Sequence, residues 1–270
     1  MSQASPFSVV VSSCDAYADL WPSFFHLLFK FWPEIPKPVY LISNHKHFTD
    51  PRVQTVALGH DRHWGTNTLE AFKKIPASSI LYLQDDYFLN APADPKAIAR
   101  IHRHHLASGA RTTSLFNREA TGTATSEPGL IECDPDNKWI FDFQAAFWDK
   151  AEMIARIEPG WTPWHAEGTM NDRAKLEGQG QGWYTLTTAA PIILPYLQAI
   201  RGGLWLPEGK ALCATHGIQP DFRHRPCAPF QAGFLNRFYR SFLKRRSQTY
   251  RNRIKDNFES SEIAPISDPQ

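Results

Sequence analysis

The sequence has few cysteines, no long apolar run and almost no net charge. Four cysteines occur in 270 residues, and none belongs to a C-x-x-C pair: Cys14, Cys133, Cys213 and Cys227. Such scattered thiols argue against a zinc knuckle or a dense disulfide framework. Lysine and arginine total 29 against 27 acidic residues, so the net charge of +2 gives no general attraction to nucleic acid. The apolar run at residues 7–11 is too short for a signal peptide or a membrane span, and we expect a cytoplasmic protein.

The sequence does contain enough apolar residues for one sizeable core, with 42% hydrophobic and 13% aromatic content. Short β-branched runs at residues 8–12, 39–43, 53–58 and 80–83 predict strands, and helical spacing predicts helices over 66–74 and 95–106. Strands that alternate with helices predict an α/β fold, in which helices flank a mainly parallel sheet. Ligands of such folds bind at the carboxyl ends of the strands.

The second half is less regular. We predict strands over 112–116 and 139–143, a mobile Gly-, Thr- and Ser-rich connection at 121–129, and a helix over 165–176. His102, His104 and His105 are expected on a solvated helix surface, where only His102 and His105 share a face. The predicted organisation is an α/β domain over 1–230, a basic amphipathic helical extension over 231–258 and a disordered tail over 259–270.

Two adjacent acids, Asp85 and Asp86, follow the apolar strand at residues 80–83. Adjacent carboxylates at a buried edge repel each other, so they need a cation, a proton or hydrogen-bond donors. A divalent ion that also holds a diphosphate meets this need, because Mg²⁺ and Mn²⁺ prefer hard oxygen ligands. The alternative is that one acid caps a turn and the other faces solvent.

Six short segments carry a resemblance to a known family. They are VVVSSCD at 9–15, YLISN at 40–44, LYLQDDY at 81–87, FQAAFW at 143–148, PWHAEG at 163–168 and RGGLW at 201–205. In order and spacing they resemble GT-A glycosyltransferases, and among these the bacterial enzymes of capsule and lipopolysaccharide assembly. The resemblance covers about residues 7–221. It implies a GT-A-like, Rossmann-type sheet and the transfer of a sugar from a nucleotide-sugar donor to a surface polysaccharide or lipopolysaccharide acceptor.

The resemblance also implies a donor site. Ser13, Asp15 and Tyr17 would hold the nucleoside, with Asn44 nearby. Asp86 would bind a metal ion, Mn²⁺ or Mg²⁺, or the diphosphate itself, and Asp85 would contact sugar hydroxyls. The family signature D-x-D has its acids at the first and third positions, whereas this sequence places glutamine first, in Gln84-Asp85-Asp86. Binding of the diphosphate by basic side chains without a metal therefore remains open, as does a helix-capping role for Asp15.

Glu167 lies where similar enzymes carry an acid that faces the acceptor. An inverting transfer needs a carboxylate base that takes the proton of the acceptor hydroxyl, and we assign this role to Glu167. A first-turn helix acid is the structural alternative, and a retaining mechanism stays open. Trp161 and Trp164 are the candidate pair for stacking on acceptor sugars, with core packing as the alternative.

The extension at 231–258 places Phe234, Phe238 and Phe242 four residues apart, with basic residues between them. This spacing suits a helix lying on the anionic inner face of the cytoplasmic membrane, where lipid-linked acceptors are presented, or a helix packed on the domain.

Two other functions are compatible with the polar residues described above. One is a metal-dependent hydrolase that uses Asp85 and Asp86, and the other is a non-catalytic protein that binds sugars or nucleotides.

Overall fold

The computed structural model describes residues 7–178, 180–222, 225–228 and 261–266. The strands are β1 (Ser8–Ser12), β2 (Val39–Ser43), β3 (His47–Phe48), β4 (Val53–Ala57), β5 (Ser79–Gln84), β6 (Tyr87–Leu89), β7 (Thr112–Arg118), β8 (Gly122–Ala124), β9 (Leu130–Cys133), β10 (Ala146–Asp149), β11 (Trp183–Thr187), β12 (Tyr196–Gln198), β13 (Ile200–Arg201), β14 (Leu204–Trp205) and β15 (Glu262–Ile263). The helices are α1 (Trp21–Phe31), α2 (Trp64–Lys74), α3 (Pro95–Ala107), α4 (Lys150–Arg156), α5 (Pro163–Glu177) and α6 (Pro207–Thr215), and a 3₁₀ turn covers Asp15–Tyr17.

A nine-stranded sheet with the order β4-β2-β1-β5-β10-β7-β11-β9-β8 organises the fold. The first four strands of this order pair in parallel, as do β7 and β11. Strand β10 runs antiparallel between β5 and β7, and β9 runs antiparallel between β11 and β8. The predicted α/β class with a mainly parallel sheet is confirmed, and β10 and β9 are its reversed strands.

Helices cover both faces of the sheet. Successive side chains of a strand point to opposite faces, so a strand that is apolar throughout must be covered on both. In β1, Val9 and Val11 belong to one buried cluster together with Phe24 of α1 and Ile98 of α3. Val10 belongs to the second cluster. This second cluster also contains residues of three other helices: Phe72 of α2, Met153 of α4 and Met170 of α5. Burial on both faces explains why the central strands are continuously apolar.

The strand predicted over 139–143 is wrong. Ile140 and Phe141 are buried there, but their backbone N–H groups both donate to Asn171 Oδ1 of α5, at 2.7 and 3.3 Å. Asn171 Nδ2 in turn donates to the Phe141 carbonyl at 2.9 Å. The Asn171 side chain thus makes the backbone hydrogen bonds that a neighbouring strand would otherwise make. The next strand along the chain, β10, begins at Ala146. The predicted loop at 121–129 likewise contains the short strand β8.

The solvated position predicted for His102 and His105 is also wrong, although they do share one face of α3. Each is 2% exposed, and they bond to the starts of two strands. His102 Nε2 lies 2.9 Å from Ser79 Oγ, and His105 Nδ1 lies 3.0 Å from Thr113 Oγ1. Burial lowers the pKa of His102 to about 4 and that of His105 to about 3, so both rings are neutral parts of the core.

Residues 261–266, near the end of the chain, pack against the domain beside β3. Strand β15 pairs in parallel with β3, so residues 261–266, part of the predicted disordered tail, are in regular contact with the domain. Ile263 and Ile266 pack against the first buried cluster. The predicted basic helix over 231–258 lies outside the described residues. Among the described residues, no helix has both the length and the apolar character that crossing a bilayer requires.

Candidate active site

The carboxyl ends of β4, β2, β1 and β5 meet at one edge of the sheet, because these four strands are parallel neighbours. The polar loops that follow them come together at this edge. They contain all six predicted donor-site residues, namely Ser13, Asp15, Tyr17, Asn44, Asp85 and Asp86. This edge is where open α/β sheets bind their ligands.

Asp85 is the buried member of the acid pair, with 5% of its surface exposed. The Ser13 hydroxyl donates a short hydrogen bond to Asp85 Oδ2, and Trp21 Nε1 donates to Ser13 Oγ at 2.8 Å. Burial raises the pKa of Asp85 well above its usual range, and the charge of Asp86 raises it further against the Ser13 bond. The bond between Ser13 and Asp85 therefore links the loops that follow β1 and β5. The contacts of these two residues with substrate remain predictions.

Asp86 is only partly buried and is the more accessible acid of the pair. Burial raises its pKa to about 7, while a hydrogen bond from the Gln198 side chain favours its charged form. The Asp86 carbonyl accepts the N–H groups of Ala199 at 2.8 Å and Ile200 at 3.3 Å. The hairpin of β13 and β14 is thereby fixed beside Asp86, and it turns through Gly202 and Gly203, whose φ angles of 58° and 83° suit a tight hairpin turn. Arg201 precedes this turn and is exposed.

Asp15 and Asn44, both expected near the nucleoside, are in direct contact with each other. Asp15 Oδ1 accepts the N–H groups of Asn44 at 3.0 Å and Lys46 at 3.1 Å, and its Oδ2 accepts that of His45 at 2.9 Å. Asn44 Oδ1 accepts the Asp15 N–H at 3.1 Å. A carboxylate has roughly four acceptor positions. Asp15 thus uses most of its capacity to join the loops after β1 and β2, and its contact with a ribose stays a prediction.

Arg225 is a site residue that sequence reasoning missed. It is 1% exposed, and it donates to both carboxylate oxygens of Asp19, each at 2.8 Å. It also donates to the carbonyls of Ala16 at 2.8 Å and Gly203 at 3.1 Å, and its guanidinium lies 4.5 Å from the ring centre of Tyr17. Because 206 positions separate Arg225 from Asp19, no local pattern could have indicated the pair.

The predicted base, Glu167, stands on α5 at the other side of the site. Its Oε1 accepts the Phe143 N–H at 3.2 Å. Burial raises the pKa of Glu167, and the neighbouring Asp142 raises it further, while Arg118 opposes them. Asp142 and Arg118 form an ion pair at 3.0 Å in which both side chains are largely buried. Neither residue belongs to the predicted site: Asp142 lies in the segment predicted as a strand, and Arg118 is the last residue of β7.

A line of side chains connects the Glu167 side with the Asp86 side. Gln144 Nε2 donates to Asp142 Oδ2 at 3.2 Å, and the Tyr196 hydroxyl donates to Gln144 Oε1 at 3.1 Å. The ring of Tyr196 then meets the ring of Tyr87 edge-on, with centroids 5.5 Å apart. Tyr87 is the residue after Asp86. The structure therefore brings Asp86 and Glu167 to one site, 81 positions apart in the sequence but joined through Tyr87.

Other candidates lie elsewhere. Trp161 is buried at 7% exposure in the second cluster, whereas Trp164 is 73% exposed, so the two tryptophans do not form a pair of stacking surfaces. Trp164 stands on α5, one turn before Glu167. His216 lies 2.9 Å from Lys30 Nζ and against Phe31, at the end of α1 that is far from Ser13.

The residues that could hold a metal ion are few. Among the described residues, no three His, Cys, Asp or Glu side chains form a group that could hold a metal ion. Gln84 bonds to the Tyr82 hydroxyl and Asp85 to Ser13, which leaves Asp86 as the available carboxylate. This donor set fits Mg²⁺ or Mn²⁺ only in the manner of ions that bind through one carboxylate together with substrate phosphates.

Comparisons with known proteins give distant likenesses only. No family model matches the chain, and no curated protein matches it in sequence. Its fold is similar to S. aureus TarS 1–349 in complex with UDP-GlcNAc, with a TM-score of 0.44 and 12% identity over 69% of this chain and 60% of that one. The same fragment with UDP gives 0.46 and 13% over 71% and 59%. The galactosyltransferase LgtC, in complex with donor and acceptor sugar analogs, gives 0.39 and 11% over 94% and 98%.

The chain spans 60% of the TarS chain that was solved with UDP-GlcNAc. At TM-scores below 0.5, none of these likenesses carries a functional argument. The functional evidence must come from the residues of the site itself.

Proposed function

We propose that this protein is a glycosyltransferase that moves a sugar from a nucleotide-sugar donor to a hydroxyl group of a glycan acceptor. One observation carries the proposal. Asp86, an accessible acid at the carboxyl edge of the sheet, directly precedes Tyr87, and the charge of Glu167, a half-buried acid on α5, also acts on Tyr87. Transfer between a diphosphate and a hydroxyl needs two such groups, one at each end of the sugar.

The donor side consists of the loops after β1, β2 and β5. The nucleoside would lie against Ser13, Asp15, Tyr17 and Asn44, and the diphosphate beside Asp86. A divalent ion bound there would offset the negative charge that develops on the leaving diphosphate. Asp86 would hold that ion, and the exposed Arg201 is the basic side chain that would contact the diphosphate directly.

The acceptor side is built around Glu167. The acceptor hydroxyl loses its proton to the Glu167 carboxylate while its oxygen bonds to the anomeric carbon of the sugar. The bond from that carbon to the diphosphate oxygen breaks, and the nucleoside diphosphate leaves as an anion. Attack from the opposite face inverts the anomeric configuration. Support comes from Glu167 itself: one of its oxygens is held by Phe143, and its raised pKa suits a base that works near neutral pH.

Nucleotide binding is the first test. We expect one of UDP, GDP, CMP and dTDP to raise the melting temperature of the purified protein, because a ligand that binds only the folded state stabilises it. At a concentration of 100 Kd the gain is about 2.7 kcal/mol. For a chain of this size that gain raises the melting temperature by roughly 5–10 °C. Each nucleotide is measured with Mn²⁺ and with a chelator, and the difference reports the need for metal at Asp86.

The outcomes separate the rival functions. A melting temperature that no nucleotide changes under either condition contradicts the donor site. Hydrolysis of a simple phosphate ester at the same site would indicate a hydrolase instead. A nucleotide sugar that binds without ever releasing its diphosphate, to an acceptor or to water, would indicate a non-catalytic binding protein.

The acceptor proposed here is a surface polysaccharide or lipopolysaccharide, presented at the cytosolic face of a membrane. The sequence of the extension supports membrane contact, since 231–258 contains eight lysines and arginines, at 237, 240, 244, 245, 246, 251, 253 and 255, against one acid at 256. Each basic residue near an anionic bilayer contributes about 1 kcal/mol.

Vesicle binding tests this contact. The full chain should co-sediment with phosphatidylglycerol vesicles and not with phosphatidylcholine vesicles, and salt should weaken the binding because it screens the charges. Replacing Lys244, Arg245 and Arg246 by alanine should weaken it by about 100-fold, from the same contribution per charge. Equal binding to both vesicle types, or none to either, would contradict the membrane contact.

A further inference from the structure

Tyr87 lies at the centre of the proposed site. It begins β6, directly after Asp86, and pairs with Gln198 of β12. Its ring meets Tyr196 edge-on, with 5.5 Å between the ring centroids, and forms part of the wall of a small cavity with Gln84 and Gln144. These contacts fix the ring, so the position of the hydroxyl is set by the fold.

The surroundings of that hydroxyl are charged. Asp86 directly precedes Tyr87 in the chain, and the charges of Asp142, Glu167 and Arg201 also act on the Tyr87 hydroxyl. A phenol is protonated near neutral pH, so the Tyr87 hydroxyl can donate a hydrogen bond. Within the described part of the chain, the Tyr87 hydroxyl makes no hydrogen bond.

The contacts of Tyr87 indicate what its hydroxyl would meet. Tyr87 follows Asp86 in the chain, and its ring contacts Tyr196, whose hydroxyl bonds to Gln144. The residue before Gln144, Phe143, donates its N–H to Glu167, so Tyr87 lies between the two acids along this series of contacts. In the proposed transfer, the diphosphate lies beside Asp86 and the acceptor hydroxyl beside Glu167. The part of the substrates that lies between those two positions is the sugar that is transferred. We infer that the Tyr87 hydroxyl donates a hydrogen bond to an oxygen of the transferred sugar, and this inference rests on the proposed function.

Such a contact would act on the reaction more than on nucleotide affinity. A hydrogen bond to the sugar fixes the anomeric carbon relative to Glu167, and only interactions that are stronger in the transition state raise kcat. The nucleoside and the diphosphate would be bound by other residues. Tyr87 would therefore be a catalytic residue, separate from the base and from the donor loops.

The test is the variant Tyr87→Phe, which removes the hydroxyl and keeps the ring against Tyr196. Two readouts are needed: the Kd of UDP or GDP, and kcat for release of that diphosphate from UDP-glucose or GDP-mannose, whichever pair stabilises the wild type. We expect kcat to fall by about 10- to 100-fold while the Kd of the free nucleotide changes by less than about twofold. Tyr40→Phe is the matched control, because Tyr40 is a buried tyrosine of β2 in the second cluster, and its kcat should equal that of the wild type.

Two outcomes would overturn the inference. One is an unchanged kcat in Tyr87→Phe. The other is a loss of nucleotide affinity as large as the loss of kcat, because Tyr87 would then act on the nucleotide. Failure of the proposed function gives a different result: the wild-type protein would bind no nucleotide, or would release none from a nucleotide sugar.

Discussion

Replacing Glu167 by glutamine should lower kcat of sugar transfer by about 10²- to 10⁴-fold and leave the Kd of the donor nucleotide nearly unchanged. Glutamine keeps the size of the side chain and can still accept the Phe143 N–H. It cannot take a proton from the acceptor hydroxyl, so the loss falls on the chemical step. Steady-state kinetics together with nucleotide titration separate the two quantities.

Asp172→Asn is the control for this substitution. Asp172 is an exposed acid on the same helix, so its loss removes the same charge without removing the proposed base. Its kcat should be close to that of the wild type. If Glu167→Gln and Asp172→Asn reduced kcat equally, Glu167 would have no special role. The acidic limb of the wild-type pH profile should also lie above the usual range of a glutamate, because burial raises the pKa of Glu167.

The second large effect concerns Asp86, where stability and activity should change in opposite directions. Asp86→Asn should lower kcat/KM by about 100-fold or more, because it removes the acid at the diphosphate. The same variant, free of ligand, should be more stable than the wild type at pH 8, by on the order of 2–4 kcal/mol. Functional acids in buried positions commonly destabilise the fold that holds them.

The sign follows from the pKa. Folding raises the pKa of Asp86 from 3.8 to about 7, so the folded state binds a proton more tightly than the unfolded state does. The charged form therefore costs nothing below pH 3.8, and its cost grows as the pH rises and is complete above about 7. Asparagine does not titrate, so the gain in stability should be present at pH 8 and absent near pH 4.

Urea unfolding at these two pH values measures the difference directly. The buried histidines of α3 titrate equally in both proteins, so their contribution cancels in the comparison. Asp172→Asn again serves as the control and should show no pH-dependent gain. A stability difference between wild type and Asp86→Asn that is the same at pH 4 and pH 8 would show that folding does not raise the pKa of Asp86.

The parts of the fold that local patterns encode could be predicted. Residues 8–12 and 39–43 form β1 and β2 with the predicted bounds, because strands buried on both faces are continuously apolar. Residues 139–143 could not be predicted in this way, because a side chain of α5, Asn171, satisfies their backbone. His102 and His105 could have been found: with Ile98 and Ile101 they complete an inward stripe at helical spacing.

The same distinction between local patterns and distant partners applies to the residues of the candidate site. Asp86 and the contact between Asp15 and Asn44 follow from the rule that parallel strands carry their ligands at the carboxyl edge. Asp142, Arg118 and Arg225 were missed, because each is defined by a partner that is distant in sequence or by an irregular segment. Those residues act on the charge of the predicted acids, so local patterns could indicate the acids but not the charged groups around them.

The ion pair between Arg225 and Asp19 also affects when this part of the fold can form during synthesis. A chain made from its amino end produces the segment around Asp19 early, but the partner of Asp19 is 206 residues away. Before Arg225 is synthesised, burial of the Asp19 carboxylate would leave its charge without a partner, which is strongly unfavourable. The segment around Asp19 can therefore reach its final buried arrangement only after residue 225 has been made.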